Sequence, residues 1–153
     1  MQKTTYLTAI LLSAGLYAGA QKIEIIDGLY FEGRKPFSGI YKDTSATGML
    51  IQTISLKDGK QDGKTSIFYG NGQIKEERFY KNGLRDSIWT TWSESGEKLA
   101  VASFRNDVKD GNWIIWDEKG TKRYDMYYRN GEKTGTWKMW DESGKLVQEK
   151  AYQ

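Results

Sequence analysis

The chain has 153 residues, 23 Lys and Arg against 20 Asp and Glu, and neither Cys nor His. Lacking those two residue types, it has no disulfide, no Cys nucleophile, no His general base and no ordinary zinc site. A chain of this length forms one domain, and this one must be held by its hydrogen-bond ladder and side-chain packing alone.

Residues 1–20 read as a signal peptide. Lys3 gives a short positive start, Leu7 to Ala20 is uncharged and mostly apolar or small, and Ala18-Gly19-Ala20 before Gln21 fits the A-x-A cleavage pattern. The apolar run falls short of the about 20 residues a membrane-spanning helix needs. Cleavage after Ala20 and export to the periplasm, cell surface or medium are therefore expected. The site is not followed by Cys, so a lipoprotein is not. Without Lys3 the remainder carries 22 basic and 20 acidic residues, spread evenly along the chain. Nucleic-acid and anionic-lipid binding both favour clustered basic surfaces, so neither partner is indicated.

Beyond the leader, glycines recur every 24 residues: Gly39, Gly63, (Ser87), Gly111, Gly135; Gly48, Gly72, Gly96, Gly120, Gly144; and Gly59, Gly83, (Asp107), Gly131. A fixed period of this size marks a repeat architecture. Residues 21–56 form an N-terminal segment with a degenerate capping repeat, in which Gly33 to Gly39 is two residues longer than the matching interval and contains Pro36. Atypical terminal repeats cap such arrays, and Pro blunts a strand edge. Residues 57–153 hold four copies: Lys57–Tyr80, Lys81–Phe104, Arg105–Tyr128 and Arg129–Tyr152.

Each copy has two runs rich in aromatic and β-branched residues separated by turn residues, the pattern of a β-hairpin. Asp117-Glu118-Lys119-Gly120 and Asp141-Glu142-Ser143-Gly144 place Asp first and Gly fourth, the type I preference. Tyr80-Lys81-Asn82-Gly83 and Tyr128-Arg129-Asn130-Gly131 read the same way at the other end of the unit. Tight turns at both ends force antiparallel pairing. The expected fold is all-β: an elongated single-layer antiparallel meander of about five hairpin repeats, advancing about 10 Å per repeat. Turn chemistry also accounts for the Asp/Glu pairs beside Trp, so no catalytic residue, metal or cofactor is expected.

All six tryptophans fall in three W-x-x-W pairs: Trp89/Trp92, Trp113/Trp116 and Trp137/Trp140. Side chains three apart in a strand point to opposite faces, giving one Trp column per face. Tyr80, Phe104, Tyr128 and Tyr152 make a third column. Such rings supply the core that a single sheet lacks. The candidate binding residues are the six tryptophans with Tyr128 and Tyr152, as platforms for sugar rings, aromatic peptides or cationic groups. The turn geometry sets Asp117 opposite Thr121 and Ser93 opposite Glu97. Trp116 then faces Lys122, Trp92 faces Lys98 and Trp140 faces Leu146, with the two lysines expected over Trp116 and Trp92.

The elements Tyr-Lys-Asn-Gly (80–83), Tyr-Arg-Asn-Gly (128–131), Gly-x-Trp (111–113, 135–137) and Trp-Asp-Glu-x-Gly (116–120, 140–144) resemble MORN repeats. They are closest to the bacterial variant of the YwqK-type family, labelled a toxin–antitoxin antitoxin. The resemblance spans about residues 28–153 and implies an extended sheet of hairpins serving in protein association or membrane-surface contact. A weaker likeness is to aromatic cell-wall-binding hairpin repeats. The functional expectation is an exported, non-catalytic interaction module for another envelope or secreted protein. The alternatives are an antitoxin- or immunity-type protein that occludes its partner, and a carbohydrate or cell-wall binder using the Trp columns.

Overall fold

The computed structural model describes residues 22–153. The expected signal peptide and its cleavage site lie outside them. The described residues form strands joined by tight turns. A small three-stranded sheet comes first, from β1 (Ile23–Ile26), β2 (Leu29–Glu32) and β3 (Lys35–Pro36). Ten strands follow in one long sheet: β4 (Gly39–Thr44), β5 (Leu50–Lys57), β6 (Lys60–Phe68), β7 (Ile74–Lys81), β8 (Leu84–Trp92), β9 (Lys98–Arg105), β10 (Val108–Trp116), β11 (Lys122–Arg129), β12 (Glu132–Trp140) and β13 (Leu146–Tyr152). Their spatial order is their sequence order, and every pair is antiparallel. The molecule is the expected all-β hairpin meander.

The two turns of each unit differ. In the longer turn the Gly120 N–H donates to the Asp117 carbonyl at 3.0 Å and the Asp117 N–H to the Thr121 carbonyl at 3.0 Å. Gly120 takes the left-handed φ of 80° that this type I turn requires of its fourth residue. Ser93 and Glu97 pair likewise, so the expected register holds: Trp92 faces Lys98, Trp116 faces Lys122 and Trp140 faces Leu146.

The shorter turns depart from expectation. Asn82 and Gly83 both have positive φ (51° and 83°), as do Asn130 and Gly131 (49° and 87°). Lys81 pairs with Leu84 and Arg129 with Glu132, leaving a two-residue type I′ loop rather than a type I turn. The twist of type I′ matches that of the flanking strands, and Asn-Gly is its preferred sequence.

A bulge on each forward strand places Gly63, Ser87, Gly111 and Gly135 opposite Tyr80, Phe104, Tyr128 and Tyr152. Gly111 has φ 110°, and a Cβ there would stand 2.9 Å from Ser103 Cβ. Beyond the bulge each short turn leans on the preceding repeat. Gly59, Gly83, Asp107 and Gly131 donate their N–H groups to the carbonyls of Phe37, Gln61, Arg85 and Lys109.

Full burial is concentrated at the N-terminal end, where Tyr30, Phe37, Ile54 and Leu56 pack together with Ile23 and Tyr41 against them. The small sheet supplies Tyr30, whose N–H and C=O bond to Gly59 and Phe37. At the other end β13 is exposed along almost its whole length.

Candidate functional site: an aromatic ladder and an opposing tryptophan column

The aromatic residues divide by face. Trp89, Trp113 and Trp137 interleave with Tyr80, Phe104, Tyr128 and Tyr152 into one seven-ring ladder, rather than standing as separate columns. Successive centroids lie 4.9–5.4 Å apart with interplanar angles of 52–67°. Each such tilted pair adds about 0.5–1.5 kcal/mol beyond area burial. The indoles are also pinned: the Nε1–H groups of Trp89, Trp113 and Trp137 donate to the carbonyls of Phe79, Ser103 and Tyr127 at 2.9, 3.1 and 3.0 Å. The repeat geometry explains the bonds, since each joins residues ten apart across a strand pair.

Cations cover this ladder. The Arg85 guanidinium lies 4.6 Å from the Phe104 centroid, Lys109 Nζ 4.2 Å from Trp113 and 4.8 Å from Tyr128, and Lys133 Nζ 4.7 Å from Trp137. Arg85, Lys109 and Lys133 share one repeat position, a periodicity visible in the sequence that sequence reasoning passed over. Their heads sit on the ring faces that a sugar would need.

Trp92, Trp116 and Trp140 lie three residues further along the same strands and face the opposite side. All three are half-buried. Among the described residues their indole N–H groups have no protein partner, unlike those of the ladder. The expected contacts of Lys122 with Trp116 and of Lys98 with Trp92 do not form among the described residues. Lys122 faces Trp116 in register, yet its Nζ reaches Trp140 of the next repeat, 5.5 Å from the centroid. It is drawn there while paired with Asp125 at 3.0 Å. Among the described residues Lys98 has no cation–π contact with Trp92. The backbone register is right; long flexible lysine stems choose among rings that the register alone does not rank.

The turn acids are spent on backbone N–H groups and neighbouring side chains. The Asp107 carboxyl is held below its ordinary value by the Arg85 backbone N–H and side chain. The Asp141 carboxyl is likewise lowered by the Ser143 hydroxyl and the Lys145 N–H. At the far end of the ladder a shallow concavity of about 190 Å³ is lined by Tyr124, Met126, Trp137, Lys138, Met139, Gln148, Lys150 and Tyr152.

The family described as MORN repeat variant matches residues 61–82 and 133–153. These are the β6–β7 hairpin with the start of the following turn, and the β12–β13 hairpin. The chain thus carries segments similar to MORN repeats within an all-β repeat fold. No curated protein matches. Among solved structures the chain is similar to one in the crystal structure of the GtfA/B complex bound to UDP and GlcNAc, at 13% identity and a TM-score of 0.33. That match covers 90% of this chain and 28% of the other.

Proposed function

We propose that this chain is an exported, non-catalytic repeat module that binds another protein of the envelope or cell exterior. The observation that carries the reading is the Trp92, Trp116, Trp140 column. It repeats at intervals of about 10 Å along the sheet, and among the described residues no protein group accepts from its indole N–H groups. Trp is among the residue types enriched at protein-interaction hot spots. The similarity to MORN repeats supports association as the role. An immunity- or antitoxin-type action of the YwqK kind, in which the sheet occludes its partner, is a particular form of the same reading.

The glycan reading has one observation in its favour, the same free column. The ladder tryptophans are unsuited to it because their faces carry rings and cations.

The test is a pull-down from envelope extract with the full chain, followed by reconstitution with the identified partner. Trp92→Ser with Trp116→Ser should weaken that purified complex at least tenfold, while Trp113→Phe leaves it within twofold. A chain that retains no protein, yet shifts its Trp fluorescence with cell-wall oligosaccharides, would overturn the proposal in favour of glycan binding.

A further inference from the structure

The two ends of the ten-stranded sheet are the two halves of an interface that the chain builds four times within itself. Each return strand (β5, β7, β9, β11) pairs with the following forward strand (β6, β8, β10, β12) in one repeated register. Thr53 faces Ser66, Glu77 faces Thr90, Val101 faces Ile114 and Asp125 faces Lys138. One row over, Gln52 faces Ile67, Glu76 faces Thr91, Ala100 faces Ile115 and Tyr124 faces Met139. Among the described residues β13 is a fifth return strand with no forward partner. Among the same residues β4 is a first forward strand with no return partner in the long sheet.

We propose that β13 of one molecule pairs with β4 of a second copy, head to tail, in this same register. Carried forward by the 24-residue period, Glu149 falls opposite Lys42 of the second copy and Gln148 opposite its Asp43. Glu149 and Lys42 then repeat the opposed charges of Asp125 and Lys138 inside the chain. Directly opposed unlike charges favour pairing, and like charges oppose it. Lys150 lands beside Tyr41 of the second copy, the position from which Arg78 reaches Trp89 at 5.2 Å. Symmetric pairing of β13 with itself lacks this match. Antiparallel strands sharing a face pair residues of equal parity, and the fullest such overlap sets Glu149 against Glu149.

The small N-terminal sheet competes for the β4 end. Its Tyr30 ring packs on Tyr41 at 5.5 Å, where Lys150 of the neighbour would arrive. Its backbone bonds to the forward strand stop at Phe37, so the outer edge at Lys42 and Asp43 remains available. Assembly is therefore reversible and concentration-dependent. Being heterologous, it adds copies head to tail, into a ring or an open filament according to the rotation between neighbours.

The chain has no cysteine, so the register can be read by cross-linking. Facing antiparallel residues have Cα atoms about 4.5–5.5 Å apart, within disulfide reach. The sheet ends of one molecule lie about 40 Å apart, so any bridge joins two molecules. The full chain carrying both Lys42→Cys and Glu149→Cys should give a ladder of covalent multimers on oxidation at high concentration, and either single variant should give none beyond dimer. In sedimentation, Lys42→Glu or Glu149→Lys alone should raise the concentration for half-association at least fivefold. The two together should restore it within twofold. A chain that stays monomeric at all concentrations would overturn the proposal. So would Glu149→Cys alone dimerising as fast as the ladder forms, or charge reversals that fail to restore each other.

Discussion

Ser87 and Asp107 are the two departures from the glycine lattice, and each shows what its position demands. Ser87 sits at φ 57°, in a bulge position filled by glycine at 63, 111 and 135. A left-handed non-glycine residue is strained by about 1–2 kcal/mol, while glycine costs part of this back in unfolded-state entropy. Ser87→Gly should therefore raise the unfolding free energy by about 0.5–1 kcal/mol in denaturant titrations. Gly111→Ala should lower it by about 2 kcal/mol, because the new Cβ meets Ser103 in a left-handed backbone. Equal and small effects at both sites would contradict the bulge geometry.

Asp107 holds φ 68° and accepts bonds from the Arg85 N–H and Nε at 2.8 and 2.9 Å. Its folded pKa lies below the ordinary 3.8, so the unfolded chain binds its proton first on acidification. The stabilisation is complete above that ordinary value and is lost as pH falls through the lower folded value. Asp107→Gly should flatten part of the acid limb of a stability–pH profile. An unchanged limb would assign the acid sensitivity to other carboxylates.

At the scale of the hairpin, the two tryptophans of each pair differ in kind. Trp113 donates an indole bond inside a ring ladder; Trp116 faces the other side without one. Trp113→Phe strands the Ser103 carbonyl and should cost about 1–2 kcal/mol. Trp116→Phe keeps a ring on the half-buried site and removes an N–H with no protein partner among the described residues, so it should fall within about 0.5 kcal/mol. Thermal melts of the two variants separate the roles. The spacing of the pair made the division by face legible in sequence, because strand alternation is a backbone property. That Trp113 meshes with Phe104 and Tyr128 was not, since it depends on the bulge at Gly111 tipping one strand against the next. The Asn82-Gly83 loop departs from expectation for a different reason. Gly83 fits the fourth place of a type I turn at 80–83 as well as the third place of a type I′ turn at 81–84, and the pairing of Lys81 with Leu84 separates them.

For the molecule as a whole, stability is graded from end to end. Tyr30, Phe37, Ile54 and Leu56 are buried, whereas β13 is exposed and bonded on one side only. Among the described residues extensive contacts run only between sheet neighbours. Arrays of this kind lose stability by units. Amide exchange should be fastest in β13 and slowest in β5. Removal of residues 131–153 should leave a shorter folded sheet with a lower melting temperature. Complete unfolding of that truncation would require a long-range core that the fold does not display. The repeat period carried the sheet order into view, but the buried N-terminal cluster was harder to read. Phe37 and Tyr30 occupy lattice positions that elsewhere carry Gln61 or Arg85 and Ile54 or Arg78, so their burial follows from the fold of the small sheet and not from the period.

The 24-residue period with neighbour-only contacts also sets how the described sheet would respond to force. Pulled from its ends, the sheet is loaded across its strands, so hydrogen bonds open in sequence rather than shearing together. Each repeat holds about 80 Å of extended chain folded into about 10 Å of sheet. Release should therefore proceed in even steps of about 70 Å, beginning at the exposed C-terminal hairpin and ending at the buried N-terminal cluster. Between a fixed point and a bound partner, such a protein would yield length at nearly constant force and protect the contact it holds.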